Sequence, residues 1–342
     1  MDFIDTSETE VRQATFKPAS PLPVPLRIVI PGGAGDMGRL LARHFHKAGH
    51  DVVVLSRRKH AMPWRSAVWS GSCDLALMSE IEGADVVINL AGRTVNCRYT
   101  EVNRREIMES RVNSTRAVAQ AIAQAERPPR VWLQASTATL YAHRYDAAND
   151  EATGLTGGHE PDAPAAWHFS IDVVKAWERA AVESTGAGRT RLVLLRTSIA
   201  MMTDGGAFPV MHNLARFGLG GTIGSGRQYM SWIHQEDFVR SVEEIIANDS
   251  LLGPVNLASP YPLPNKDFMR HLRAACGVPI GLPCPEPLLA IGTFLLQTEP
   301  ELVLKSRRVV PGKLLKAGFQ FRYLHWEDAA RDLCQRWRCN HA

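Results

Sequence analysis

The segment from Arg27 to Arg58 constrains the fold of this chain more than any other stretch. Ile28, Val29 and Ile30 form a short apolar run, and glycines follow at Gly32, Gly33, Gly35 and Gly38. An amphipathic stretch comes next, and Val52 to Leu55 is a second apolar run. That order reads as strand, tight turn, helix, strand. The glycines let the backbone turn sharply and approach a pyrophosphate, whose charge is met by unpaired amides and by the positive dipole end of the helix. Gly32, Gly33, Ala34, Gly35, Asp36, Met37 and Gly38 are therefore the candidate phosphate cradle. The spacing is G-x-x-G-x-x-G, not the G-x-G-x-x-G of most dehydrogenases, and the flanking strands and helix supply its context. After the second run, Ser56, Arg57 and Arg58 stand where an acidic residue would meet a free 2′-hydroxyl. One hydroxyl and two guanidinium groups suit a 2′-phosphate, so the expected cofactor is NADP(H) in preference to NAD(H). The competing reading makes Arg57 and Arg58 a solvated turn.

Composition narrows the function classes. With 342 residues, 45% of them hydrophobic and 22% charged, the chain can hold one large or two moderate domains with a proper core. A net charge of +4, with no basic stripe interleaved with aromatic residues, argues against nucleic acid as a partner. No apolar run approaches a membrane span, so no membrane partner is expected. Six cysteines at Cys73, Cys97, Cys276, Cys284, Cys334 and Cys339 lack any C-x-x-C pair, which reads as scattered thiols. His44 and His46, two apart on a helix, diverge, and no metal site is expected. Residues 1–25 begin acidic and end proline-rich, unlike a secretory signal or a transit peptide. They read as a flexible extension, and the expected location is cytoplasmic.

Further along, Asp85 to Gly92 reads as a buried parallel strand ending in a small-residue turn, and Thr100 to Glu126 as a long amphipathic helix. Val131 to Ala135 is a strand that runs into the hydroxyl-rich Ser136 to Tyr141, and 142–166 is a loop. Helices follow at Trp167 to Ser184, Ala207 to Phe217, Gln235 to Asn248 and Lys266 to Cys276. Strands follow at Arg191 to Arg196, Tyr229 to Ile233 and Val255 to Leu257. Gly318 to Tyr323 alternates like a strand before a closing helix. The fold class is α/β: a doubly wound parallel Rossmann sheet with a smaller mixed α/β C-terminal lobe on the substrate side. Residues 26–200 form the NADP-binding domain, with 228–258 returning to it. Residues 201–227 and 259–342 form the lobe.

Several blocks in order carry a resemblance: the glycine loop, VINLAG at Val87 to Gly92, SRVNSTR at Ser110 to Arg116, LLRTSIA at Leu194 to Ala200, GSGRQYMSWIHQED at Gly224 to Asp237, and GPVNLASP at Gly253 to Pro260. Together they resemble the extended short-chain dehydrogenase/reductase superfamily. More closely, the chain resembles the branch called epimerase family proteins, which end in a small domain of unknown function whose signature is similar to GFQFRY at Gly318 to Tyr323. The resemblance implies a sheet of about seven strands. It also implies a cofactor held by the glycine loop, Arg57, the turn Asn89, Leu90, Ala91 and Gly92, and Arg196 of the fourth block. Thr137 matches the hydroxyl that orients a substrate carbonyl, and Asn113 matches a helix asparagine that supports the active-site backbone. Arg227 and His234 lie in the block that lines the substrate side in relatives.

One departure bears on chemistry. Active members of the superfamily use Tyr-x-x-x-Lys on the helix after the hydroxyl loop, the lysine lowering the pKa of the proton-relaying tyrosine. Aligning on Trp177 and Glu178 puts Ser170 and Val174 in those positions, and Lys175 falls about 100° around the helix. Tyr141 is the candidate substitute, either as a phenol presented to the pocket or as a ring packed under the following loop. His168 and Asp172 are weaker candidates. The resulting expectation is an NADP(H)-binding oxidoreductase or epimerase-like enzyme that acts by hydride transfer on a small polar or nucleotide-linked substrate, with room for a homodimer. The alternative is a nicotinamide-nucleotide sensor or scaffold that binds a protein partner.

Overall fold

The computed structural model describes residues 22, 25–158, 160, 164–184, 188–285 and 301–341. The extension expected over 1–25 lies outside the described residues except for Leu22 and Pro25, and part of the apolar region before the closing helix, 286–300, lies outside them too.

Seven parallel strands make the central sheet. In chain order they are β1 (Arg27–Pro31), β2 (Asp51–Ser56), β3 (Arg65–Val68), β4 (Val86–Asn89), β5 (Val131–Thr137), β6 (Arg191–Thr197) and, later, β11 (Gly253–Leu257). Their spatial order is β3-β2-β1-β4-β5-β6-β11, so the strand order reverses between β1 and β4. A doubly wound sheet opens its ligand crevice at the carboxyl ends of the strands beside such a switch. The register runs Arg27 opposite Asp51 to Pro31 opposite Leu55, and Val131 opposite Arg191 to Thr137 opposite Thr197. Thr137 is thereby delivered to that edge.

Strand alternation decides which face each apolar side chain covers. Ile28 and Ile30 point to one side, where they meet Leu41 and Phe45 of α1 (Asp36–Lys47) and Phe238, Val242 and Ile245 of α6 (Gln235–Ala247). Val29 points to the other, against α2 (Leu75–Ile81), α3 (Glu101–Gln124) and α4 (Ala165–Ser184), where Leu77, Val118, Ile122 and Ala181 are buried. Each such fully buried aliphatic side chain contributes about 1.5–3 kcal/mol of transfer free energy.

The remaining elements build the lobe over the sheet edge. They are β7 (Ile199–Met202), β8 (Gly205–Gly206), α5 (Phe208–Arg216), β9 (Tyr229–Met230), β10 (Trp232–His234), β12 (Leu263–Pro264) and α7 (Asn265–Cys276), then α8 (Glu301–Leu304), α9 (Gly312–Lys316) and α10 (Trp326–His341). Its core stacks Phe268 on Trp326, with ring centres 3.9 Å apart, and sets Trp232 edge-on to Trp326. Among the described residues no helix is long and apolar enough to cross a membrane.

Two expectations change. Arg65 to Val68, where the sequence reading placed no strand, is edge strand β3, paired with Val53 to Ser56. Gly318 to Tyr323 alternates like a strand but is irregular, because the amides of Arg322 and Tyr323 donate to the Asp237 carboxylate at 2.9 and 2.8 Å instead of joining a ladder. Both Phe319 and Phe321 turn inward, edge to face at 4.8 Å.

Candidate active site

The glycine loop adopts the geometry its composition demands. Gly32 sits at φ +77°, and a Cβ there would lie 2.5 Å from the Ala91 nitrogen of the turn after β4. A Cβ on Gly38 would lie 2.4 Å from the Gly33 Cα. Loop, helix and neighbouring turn thus touch backbone to backbone, which only glycine permits. Gly35 is the N-cap of α1 and has no side chain to cap it, so the first amides of the helix remain open to an anion. Asp36 turns aside: its Oδ2 accepts from the Gly206 amide at 3.0 Å and its Oδ1 from Arg39 at 2.8 Å, tying β8 to α1.

At the end of β2, Ser56 Oγ donates to the Arg58 carbonyl at 2.5 Å and shapes the turn. Arg57 and Arg58 are exposed there, and among the described residues neither guanidinium enters an ion pair or hydrogen bond. On the other side of the loop, Asn89 is fully buried. It donates to Gln134 at 2.9 Å and accepts from the Ala91 amide at 3.1 Å, so it builds the turn and offers nothing to a ligand.

A cleft of about 550 Å³ opens at this sheet edge. Asp36, Met37, Leu90 and Gly92 from the expected cofactor set line it, together with Thr137. Thr137 Oγ1 donates to Thr139 Oγ1 at 3.1 Å and accepts from the Thr139 amide, which holds the two hydroxyls in the cleft wall.

Tyr141, Arg196, Asn113, His234 and Arg227, all expected site residues, lie outside the cleft wall. Tyr141 is buried beneath the hydroxyl loop: its OH donates to Asn256 Oδ1 at 2.9 Å and accepts from Arg196 at 3.0 Å. Burial pushes its phenol above the ordinary value despite the adjacent guanidinium. It is the packed ring of the two earlier readings. Arg196 makes a bidentate pair with Glu178, both contacts at 2.8 Å, and so braces α4 against the sheet. Burial works against its charge, but Glu178 more than offsets this and holds the guanidinium above its ordinary range. Asn113 is exposed on the outer face of α3. His234 is buried: its Nδ1 accepts from the Glu236 amide and its Nε2 donates to Asp332 of α10 at 3.0 Å, while Tyr323 packs against its ring at 3.7 Å. It is a helix cap and an anchor for the lobe.

Arg227 is exposed outside the cleft, near the Tyr145 ring. His168 and Asp172 are exposed on α4. His44 bonds Glu243 and His46 lies edge-on to Trp64, diverging as their spacing requires.

The cleft instead gathers groups that sequence reasoning passed over. Arg111 lies on the inward face of α3 with Ile107, Ser114, Thr115 and Val118, a 3-4 stripe that the motif contains and that excludes Asn113. Its guanidinium stacks over Trp177 at 5.0 Å and donates to the Ile107 carbonyl. Among the described residues it has no carboxylate partner. Burial lowers its pKa to about 10, which leaves it cationic at neutral pH. Ser170 and Val174, in the positions of the absent tyrosine and lysine, do face the cleft. Ser170 Oγ donates to Glu301 Oε2 at 2.5 Å, and Arg307 lies 3.9 Å from Glu301 Oε1. Lys305 donates to the Thr139 carbonyl at 3.0 Å, and burial lowers its ammonium to about 8. Glu301 to Arg307 come from far along the chain, so no local spacing could have joined them to Ser170.

Known proteins of this form share the architecture and much of the length. The NAD dependent epimerase/dehydratase family matches residues 28–258, and a domain of unknown function, DUF1731, matches 284–333. The epimerase family protein YfhF of Bacillus subtilis is 31% identical over 312 residues, spanning 90% of this chain and 98% of that protein. An epimerase family protein of Staphylococcus epidermidis is 30% identical over 307 residues, with the same coverage. Among solved structures, the human epimerase family protein SDR39U1 (isoform 2) with NADPH superposes with a TM-score of 0.79 at 26% identity, covering 91% of this chain and 99% of that one. A nucleoside-diphosphate sugar epimerase of Corynebacterium glutamicum gives 0.71 at 27% identity, covering 91% of this chain and 59% of its own. A seven-stranded sheet with its glycine cradle at the switch point, followed by the C-terminal domain, agrees with these matches along the chain, which belongs to the NAD dependent epimerase/dehydratase family.

Proposed function

We propose that the protein binds NADP(H) and exchanges hydride with the alcohol or carbonyl carbon of a small polar substrate that carries an anionic group. The observation that carries this reading is the cleft itself, where the glycine loop meets Thr137, Ser170 and Arg111. The residues present fit the cofactor: the all-backbone contact of Gly32 with Ala91 leaves room for a pyrophosphate, the start of α1 is uncapped, and Arg57 and Arg58 are free for a 2′-phosphate. The NADPH in the human relative's structure supports the same choice.

When bound, the nicotinamide supplies or accepts the hydride. The protein's own groups would do the rest. Thr137 and Thr139 hydrogen-bond the reacting oxygen. Ser170 takes the proton from a substrate alcohol as it hands its own to Glu301 Oε2, and the reverse transfer protonates the oxygen when a carbonyl is reduced. Trp177 and Val174 keep that corner dry. Arg111 holds the anionic group of the substrate. A protein that only senses the nucleotide has no use for these polar groups beyond the cofactor cradle.

Calorimetric titration of the full chain with NADPH and NADH tests the reading. Expected are selective binding of NADPH and a loss of about 10- to 100-fold for Arg57→Ala with NADH affinity unchanged, the cost of one charge-assisted contact. Absence of binding, or equal weakening of both nucleotides, overturns it.

A further inference from the structure

His212 of α5, Cys276 of α7 and Cys334 of α10 come from three helices and meet inside the lobe, and none of them lines the cleft. One imidazole nitrogen and the two sulfurs all lie within 4.8 Å of one another. The sulfurs are 3.7 Å apart. Two arms of about 2.3 Å at the tetrahedral angle span roughly 3.8 Å, so the thiols already stand at the spacing of two thiolates on one tetrahedral ion. A disulfide would require about 2.05 Å.

His212 adds an independent sign. Its side chain is 2% exposed, and its Nδ1 is buried without a hydrogen-bond partner. Phe208 and Trp337 flank the ring at 5.4 and 5.0 Å and fix its plane. A buried nitrogen left bare costs free energy, and a bound cation removes that cost.

Arg216 and Arg338 lie close enough to the thiol pair to act on its charge. Cys276 is half-buried, which gives an ion and one water a way in.

We propose that His212, Cys276 and Cys334 form a binding site for one zinc ion, with a solvent water as the fourth ligand. Both sulfurs bind as thiolates, their protons pass to solvent, and no electrons move. Two thiolates neutralise the ion beside Arg216 and Arg338. The site clamps α5 and α7 to α10, the helix that also supplies Asp332 to His234.

The test uses the full-length reduced protein, stripped with chelator and titrated with Co2+ as a spectroscopic stand-in for Zn2+. Expected are one bound equivalent, a thiolate-to-cobalt charge-transfer band that Zn2+ abolishes, and a melting temperature raised by Zn2+ but not by Mg2+. Cys276→Ser, at a half-exposed position that tolerates the change, should remove most of the band and weaken Zn2+ more than tenfold, since even outer-shell changes cost about 10- to 100-fold. His212→Gln should keep the sulfur band and lose affinity. A reduced protein that takes up no cobalt overturns the proposal, as does a spectrum unchanged in Cys276→Ser. A denatured thiol count two short of six in the protein as isolated does so too, because it marks a disulfide.

Discussion

Ser170 Oγ lies 2.5 Å from Glu301 Oε2, a hydrogen bond across 131 positions of sequence that joins the helix α4 to the lobe at the cleft wall. Ser170 stands in the position expected for the tyrosine of Tyr-x-x-x-Lys. Ser170→Ala and Glu301→Gln should each lower the rate of hydride exchange by about 10²- to 10⁴-fold, the usual range for a lost general acid or base. Single-turnover oxidation of bound NADPH, with nucleotide affinity measured in parallel, checks this. An active Ser170→Ala enzyme would remove the pair from the chemistry.

Arg111 should act on substrate and not on nucleotide. Arg111→Met keeps the stacking volume over Trp177 and removes the charge. The expected result is a rise in KM of about 10- to 100-fold with kcat and NADPH affinity little changed. A variant that instead loses NADPH would assign this guanidinium to the cofactor.

Tyr141 should matter to stability and not to turnover. Its hydroxyl satisfies buried Asn256 and Arg196, so Tyr141→Phe leaves both short of a partner and should cost about 1–3 kcal/mol in urea unfolding, with the rate of hydride exchange intact. Loss of activity in a variant of unchanged stability would contradict the packing role.

Acid should loosen the lobe through Asp332. Burial alone would raise its carboxyl, but hydrogen bonds from His234 and Arg336 dominate and hold it below the ordinary 3.8. A carboxyl depressed in the folded state contributes stability above its unfolded pKa and loses it as pH falls through the folded one. The melting temperature of the wild type should therefore drop more steeply below about pH 4 than that of Asp332→Asn, which should be less stable at neutral pH. Parallel acid profiles would refute the anchor.

The sheet was legible because its signals are local. The glycines, the apolar runs of β1 and β2 and the helical spacing of α3 each follow from neighbours within one element. Thr137 was legible for the same reason, since the end of a strand is a place in sequence as well as in space. The residues carried over at Asn113 and Arg196 lie off the cleft because direction around an element decides what a side chain meets: Arg111, two positions earlier on α3, faces the cleft and Asn113 faces water. Arg196 and Tyr141 carry the right chemistry, but they point into a layer beneath the hydroxyl loop, where Glu178 and Asn256 consume it. The partnership of Ser170 with Glu301, and the meeting of His212, Cys276 and Cys334, depend on how the lobe folds back, which no spacing records.

That fold-back divides the labour of the molecule. Glu301 and Arg307 line the cleft, Lys305 grips the Thr139 carbonyl, and Ser306 accepts Tyr229 through its hydroxyl, so one short connector serves as the floor of a chamber whose roof is the sheet edge. The glycine cradle is encoded in the first hundred residues, whereas the polar groups opposite it come partly from Arg111 to Ser170 and partly from beyond residue 300. A chain built this way can keep one cofactor while its reaction drifts, because substitutions in the connector alter what is done in the chamber without disturbing what powers it.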